Sequence, residues 1–67
     1  MILVDDFKGL SKTYKGTKGD AVITRNCGNK DKIDRWSVSV VVDGKYKRLA
    51  TRVEFTKAIE MAKAAID

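Results

Sequence analysis

The chain has 67 residues, 43% of them apolar, which allows one small domain with a modest core. It has no histidine, no proline and a single cysteine, Cys27, so an intrachain disulfide is excluded and a zinc site lacks ligands. Fourteen basic residues against nine acidic ones give a net charge of +5, which favours polyanionic partners.

Residues 1–20 carry no sustained hydrophobic period and read as a loosely ordered N-terminal segment of one domain spanning 1–67. Met1–Val4 fits either a short strand or a loose apolar end, and Asp5-Asp6 follows too soon for a signal peptide. No stretch approaches the ~18 apolar residues that cross a bilayer. A cytoplasmic protein without membrane association is therefore expected. Gly16-Thr-Lys-Gly-Asp20 lacks the spacing and the Lys-Ser/Thr ending of a phosphate loop and reads as a mobile turn.

Ala21–Cys27 holds Val, Ile and Thr between glycine-containing boundaries, which predicts a first strand. The polar run 29–34 reads as a loop. Arg35–Val42 and Lys45–Val53 then predict a hairpin around Asp43-Gly44, a preferred pair where both turn residues take positive φ. The turn sets Val42 opposite Lys45, Val41 opposite Tyr46, Ser39 opposite Arg48, Val38 opposite Leu49, Ser37 opposite Ala50 and Arg35 opposite Arg52. Trp36, Val38, Val40, Val42 and Leu49 then share one apolar face, with Lys45 and Lys47 near the turn. Arg35, Ser37, Ser39, Val41, Tyr46, Arg48, Ala50 and Arg52 share the other.

Glu54–Asp67 predicts a helix. Phe55, Ala58, Ile59, Ala62, Ala65 and Ile66 form one stripe at helical spacing. Thr56 is one candidate cap, and Thr51 another through a Thr-x-x-Glu box with Glu54. Glu60 and Lys63 fit an i,i+3 pair. The expected fold is α+β: a three-stranded antiparallel sheet with one C-terminal helix packed on one face, the other face left wet.

Charge follows the elements. Residues 35–53 hold five basic residues and one acidic, net +4, whereas 54–67 are net −1. A nucleic-acid reader is therefore expected on the sheet and not on the helix. The candidate binding residues are Arg35, Ser37, Ser39, Lys45, Tyr46, Lys47, Arg48 and Arg52. Guanidinium forks suit both guanine edges and phosphates, and an Arg35–Arg52 cross-strand pair calls for a polyanion or an acidic neighbour.

The run from Trp36 through Asp43-Gly44-Lys45 to Leu49, followed by Ala62-Lys63-Ala64, resembles the ethylene-response-factor type of DNA-binding domain. Tyr14-Lys15-Gly16 is similar to that family's opening Tyr-Arg-Gly. The arm-type DNA-binding domain of tyrosine-recombinase integrases shares the sheet-plus-helix plan. Ala50 stands where a glycine follows the leucine in the family, and the Tyr14–Trp36 interval is longer. The resemblance implies DNA contact through the exposed sheet face, carried by Arg35, Arg48 and Arg52.

A DNA-binding module is thus the first expectation. The alternative is a small phage-like regulator or inhibitor that docks on an acidic surface of a larger protein. RNA binding would need stacking platforms, for which Tyr46 and Tyr14 are the aromatic candidates. With no acid–base constellation the chain is not expected to be an enzyme or to need a cofactor.

Overall fold

The computed structural model describes residues 1–26 and 36–67. Five strands precede one helix: β1 (Ile2–Phe7), β2 (Ser11–Lys15), β3 (Gly19–Arg25), β4 (Trp36–Val42), β5 (Lys45–Val53) and α1 (Phe55–Ile66). They form one antiparallel sheet in chain order, β1-β2-β3-β4-β5. The expected three-stranded sheet is therefore corrected to five strands, although the class remains α+β with a C-terminal helix. The two additional strands come from the segment expected to be loose. Cys27, the loop 29–34 and Arg35 lie outside the described residues.

The β1–β2 turn shows why that hairpin left a weak signal. Lys8 and Gly9 both have positive φ, 54° and 72°, and Leu10 N–H donates to the Phe7 carbonyl at 2.8 Å. This is the geometry expected at Asp43-Gly44, where φ is 54° and 75°. Lys-Gly, however, is not among the residue pairs that mark such a turn. The Asp6 carboxylate supports it by accepting from Gly9 N–H at 2.9 Å and from Lys12 Nζ at 3.0 Å.

The core lies between α1 and strands β3 and β4. Ala21, Ile23, Val38, Val40, Ala58, Ala62 and Ile66 are buried together, with Tyr14, Trp36, Leu49, Val53 and Phe55 packed around them. The small side chains of Ala58 and Ala62 let the helix backbone approach the sheet. Burying Ile23, Val38 and Ile66 contributes about 1.5–3 kcal/mol each. Trp36 meets Phe55 with ring centroids 4.8 Å apart and planes at 58°. Lys12 and Arg25 extend over the Phe55 and Trp36 rings at 5.6 and 5.8 Å. The apolar stripe read from the sequence is thus the packed stripe of α1.

Both ends of α1 depart from expectation. Glu54 is the N-cap and makes no side-chain capping bond, so neither Thr51 nor Thr56 caps the helix. The ion pair on its outer face is Lys57–Glu60 at 4.0 Å, in place of Glu60–Lys63. At the other end, the turn expected to be mobile is fastened to the helix. Lys18 N–H donates to the Ile66 carbonyl at 2.6 Å, and Thr17 Oγ1 donates to the carbonyls of Ile66 and Asp67. These bonds satisfy carbonyls that a helix C-terminus leaves without partners.

Candidate nucleic-acid interface

The pairing register assigns side chains to the two faces of the sheet. On the helix face, one row runs Leu3–Tyr14–Ala21–Val40–Lys47 and the next Asp6–Lys12–Ile23–Val38–Ala50. On the open face, one row runs Ile2–Lys15–Asp20–Val41–Tyr46 and the next Asp5–Thr13–Val22–Ser39–Arg48. A third open row begins Phe7–Ser11–Thr24–Ser37. Helix α1 packs on β4, β3 and β5, and among the described residues no element packs on the opposite, open face.

Near the Asp43-Gly44 turn the expected register holds: Val42 faces Lys45, Val41 faces Tyr46 and Ser39 faces Arg48. Two irregularities in β5 then shift it. Val38 faces Ala50 in place of Leu49, and Trp36 faces Val53. Each insertion sets an extra β5 residue against β4, as in a β-bulge. Ala50, expected on the wet face, therefore packs toward the core. Arg52 takes φ 58° in the second irregularity. The expected Val38–Leu49 and Ser37–Ala50 oppositions are corrected accordingly, while the expected Arg35–Arg52 opposition involves a residue outside the described ones.

Ser37, Ser39, Tyr46 and Arg48 are brought together on the open face. The Ser39 and Tyr46 hydroxyls share a hydrogen bond at 3.0 Å, and Ser37 Oγ donates to Asn26 Oδ1 at 2.8 Å. Both serines are buried, so these bonds satisfy groups that would otherwise be costly to desolvate. The hydrogen bond to Ser39, and next the Arg48 guanidinium, hold the Tyr46 phenol below its ordinary pKa. Val41 and Tyr46 stand exposed beside this group as a small apolar shelf.

The other expected contacts lie elsewhere. Lys45 sits at the turn and Lys47 on the helix side of the sheet, both exposed. Arg52 borders a shallow depression with Glu54, Thr56, Lys57 and Glu60, at the start of α1. The basic residues thus line the β5 edge and do not cover the whole open face. Thr13, Lys15, Asp20, Val22 and Thr24 share that face and went unnoticed in the sequence. The alternation Ser11-Lys-Thr-Tyr-Lys15 was the available signal for β2. Tyr14 points into the helix side and Tyr46 to the open side, so the two cannot form one stacking platform.

Among the described residues no group of three His, Cys, Asp or Glu side chains is placed to hold a metal ion. Among the same residues no helix is long and apolar enough to cross a membrane. No family model, curated protein or solved structure matches the chain.

Proposed function

We propose that the chain is a small nucleic-acid-binding module that contacts DNA with its β4–β5 ribbon. The observation that carries this reading is the placement of Lys45, Lys47, Arg48 and Arg52 along one exposed edge strand, with α1 on one face of the sheet and no described element over the other. A two-stranded ribbon fits a major groove. In this reading Arg48, oriented beside Tyr46 and Ser39, reaches base edges or phosphates. Lys45 and Lys47 attract phosphates from the turn, and Arg52 holds the backbone from the far end. Ser37 and Ser39 keep the centre of the ribbon flat enough for close approach. Arg35, which lies outside the described residues, is kept in this reading only as a basic residue that immediately precedes Trp36 in the sequence.

A second reading, docking on an acidic surface of a larger protein, draws on the exposed Val41–Tyr46 pair beside Arg48. Tyrosine and arginine are the residues that most often anchor protein interfaces.

Fluorescence anisotropy with a random duplex, at low and moderate salt, tests the first reading. If the four cations neutralise phosphates, the logarithm of affinity falls with the logarithm of salt at a slope of about −3 to −4. Arg48→Glu/Arg52→Glu should flatten that slope by about two and weaken binding while circular dichroism stays unchanged. Absence of binding at low salt removes the DNA reading. Saturation at fixed stoichiometry with an acidic protein, and not with DNA, supports the second.

A further inference from the structure

The open face of β4 reverses the usual order of burial. Ser37 and Ser39 are 7% and 9% exposed, whereas Val41, which shares their face by alternation, is 40% exposed. Val41 is not on an edge strand: it pairs with Asp20 on β3 and with Tyr46 on β5. Tyr46 leaves it open. The Tyr46 hydroxyl meets Ser39 Oγ at 3.0 Å, and Ser39 is paired with Arg48, so the ring leans along the ribbon towards the next row. Val41 therefore stands uncovered between an exposed carboxylate and an exposed aromatic ring. Phosphate attraction accounts for neither neighbour: a valine takes no phosphate, and Asp20 repels one.

Major-groove chemistry accounts for both. The apolar group that base edges present there is the thymine 5-methyl; adenine presents its N6 amino group as a donor, and guanine presents only acceptors. A valine over the methyl and a carboxylate accepting from N6 select a T·A pair, and the same carboxylate repels guanine O6 and N7. The dimensions agree. From Asp20 on β3 to Tyr46 on β5 is two strand spacings, about 10 Å, which fits a groove about 12 Å wide. Lys15, one more spacing along the same row, then falls at the groove wall beside the phosphates. Arg48 is two residues from Tyr46 along β5, about 7 Å, which equals the rise of about two base pairs when the strands follow the groove.

We propose that Val41 and Asp20 form a subsite for one thymine–adenine pair in the major groove, Val41 against the thymine 5-methyl and Asp20 accepting from adenine N6–H, with Arg48 set about two base pairs away. The subsite rests on the DNA reading above and names what that ribbon selects. Tyr46 is a positioning residue in it: by leaning towards Ser39 and Arg48 it keeps Val41 clear. The cations supply attraction that is blind to sequence, and the uncharged and acidic residues between them supply the choice of base pair.

The test compares two duplexes of one T·A-rich sequence, one made with thymidine and one with deoxyuridine in its place, which deletes only the 5-methyl. Anisotropy at one low salt concentration should show the thymine duplex bound about 3- to 5-fold more tightly, the effect of burying one methyl group. Val41→Ser should remove that preference and keep the salt slope, since no cation is lost. Asp20→Ala should narrow the preference for T·A-rich over G·C-rich duplexes. Circular dichroism confirms that each variant is folded, which the exposure of both side chains favours. Equal affinity for the two duplexes overturns the subsite and leaves the DNA reading standing. So does a preference that Val41→Ser retains, because it then arises from duplex shape. Absence of binding to either duplex overturns the subsite and the DNA reading together.

Discussion

Gly16 has no side chain because the end of α1 occupies the space one would fill. A Cβ there would stand 2.5 Å from the Ile66 carbonyl oxygen and 2.6 Å from Asp67 Oδ1. Gly16→Ala should therefore push the β2–β3 turn off the helix and lower stability by about 1–3 kcal/mol, read by chemical denaturation. Gly9→Ala is a different kind of change: nothing crowds its Cβ, and its φ of 72° is the source of strain. Tyr46 carries a prediction of its own. Its phenol should titrate below the ordinary value of 10.0, followed by phenolate absorbance, and Ser39→Ala should move it back up. An unchanged titration in that variant would mean that the Ser39–Tyr46 hydrogen bond does not persist in solution. These details connect local geometry to the candidate interface, because Ser39 and Arg48 orient the same aromatic ring.

At the scale of elements, α1 is held by packing more than by its ends. Its N-cap is Glu54, whose side chain caps nothing. Glu54→Ser should supply a capping oxygen and raise the thermal midpoint by an amount corresponding to about 0.5–1 kcal/mol. Thr51→Ala and Thr56→Ala should each change stability by less than about 0.5 kcal/mol, since neither hydroxyl caps the helix. A large loss in either would assign a capping role that the observed hydrogen bonds do not contain. The C-terminus gains its partners from the β2–β3 turn, which makes a loop-like sequence part of the scaffold. That attachment also orients the hairpin whose outer strand is the β1 edge.

At the scale of the whole molecule, charge is distributed from edge to edge, acidic on β1 and basic on β5. Two carboxylates fasten the acidic side. Asp67 lies below the usual carboxylate range chiefly because the Met1 ammonium donates to it at 2.5 Å, with Thr17 N–H and Lys63 adding to the effect. Asp6 lies below it through Lys12 and then Gly9 N–H. In both cases the folded pKa is below the unfolded one. The stabilisation is thus fully present above the ordinary value of 3.8 and is lost as pH falls through the folded values. Thermal midpoints should be flat between about pH 5 and 7 and fall below about pH 4, with Asp6→Asn reducing the acid sensitivity. Both carboxylates are exposed and solvent-screened, so each contributes little.

The β4–β5 hairpin, its Asp43-Gly44 turn and the apolar stripe of α1 were legible because the sequence records burial. Strands that alternate against a helix must alternate in residue type, and a helix that packs along one side must repeat its apolar positions. β1 and β2 extend beyond that helix. Their residues are exposed or only half-buried, and backbone hydrogen bonds that any sequence can make hold much of the hairpin. No pattern in Ile2–Phe7 was required, so none marked it. The register was half legible for a related reason: a turn fixes the pairs beside it, but an irregularity in β5 depends on how Ala50 and Val53 fit beneath α1. Ser37, Ser39, Tyr46 and Arg48 could be grouped from alternation alone. The separation of Arg52 from them, and the addition of Thr13 and Lys15, came from strand pairing across the whole sheet. Composition, charge and the packed hairpin–helix unit are determined by the sequence read locally; the five-stranded sheet and its two unlike edges are set by long-range backbone pairing, which leaves no periodic trace where nothing is buried.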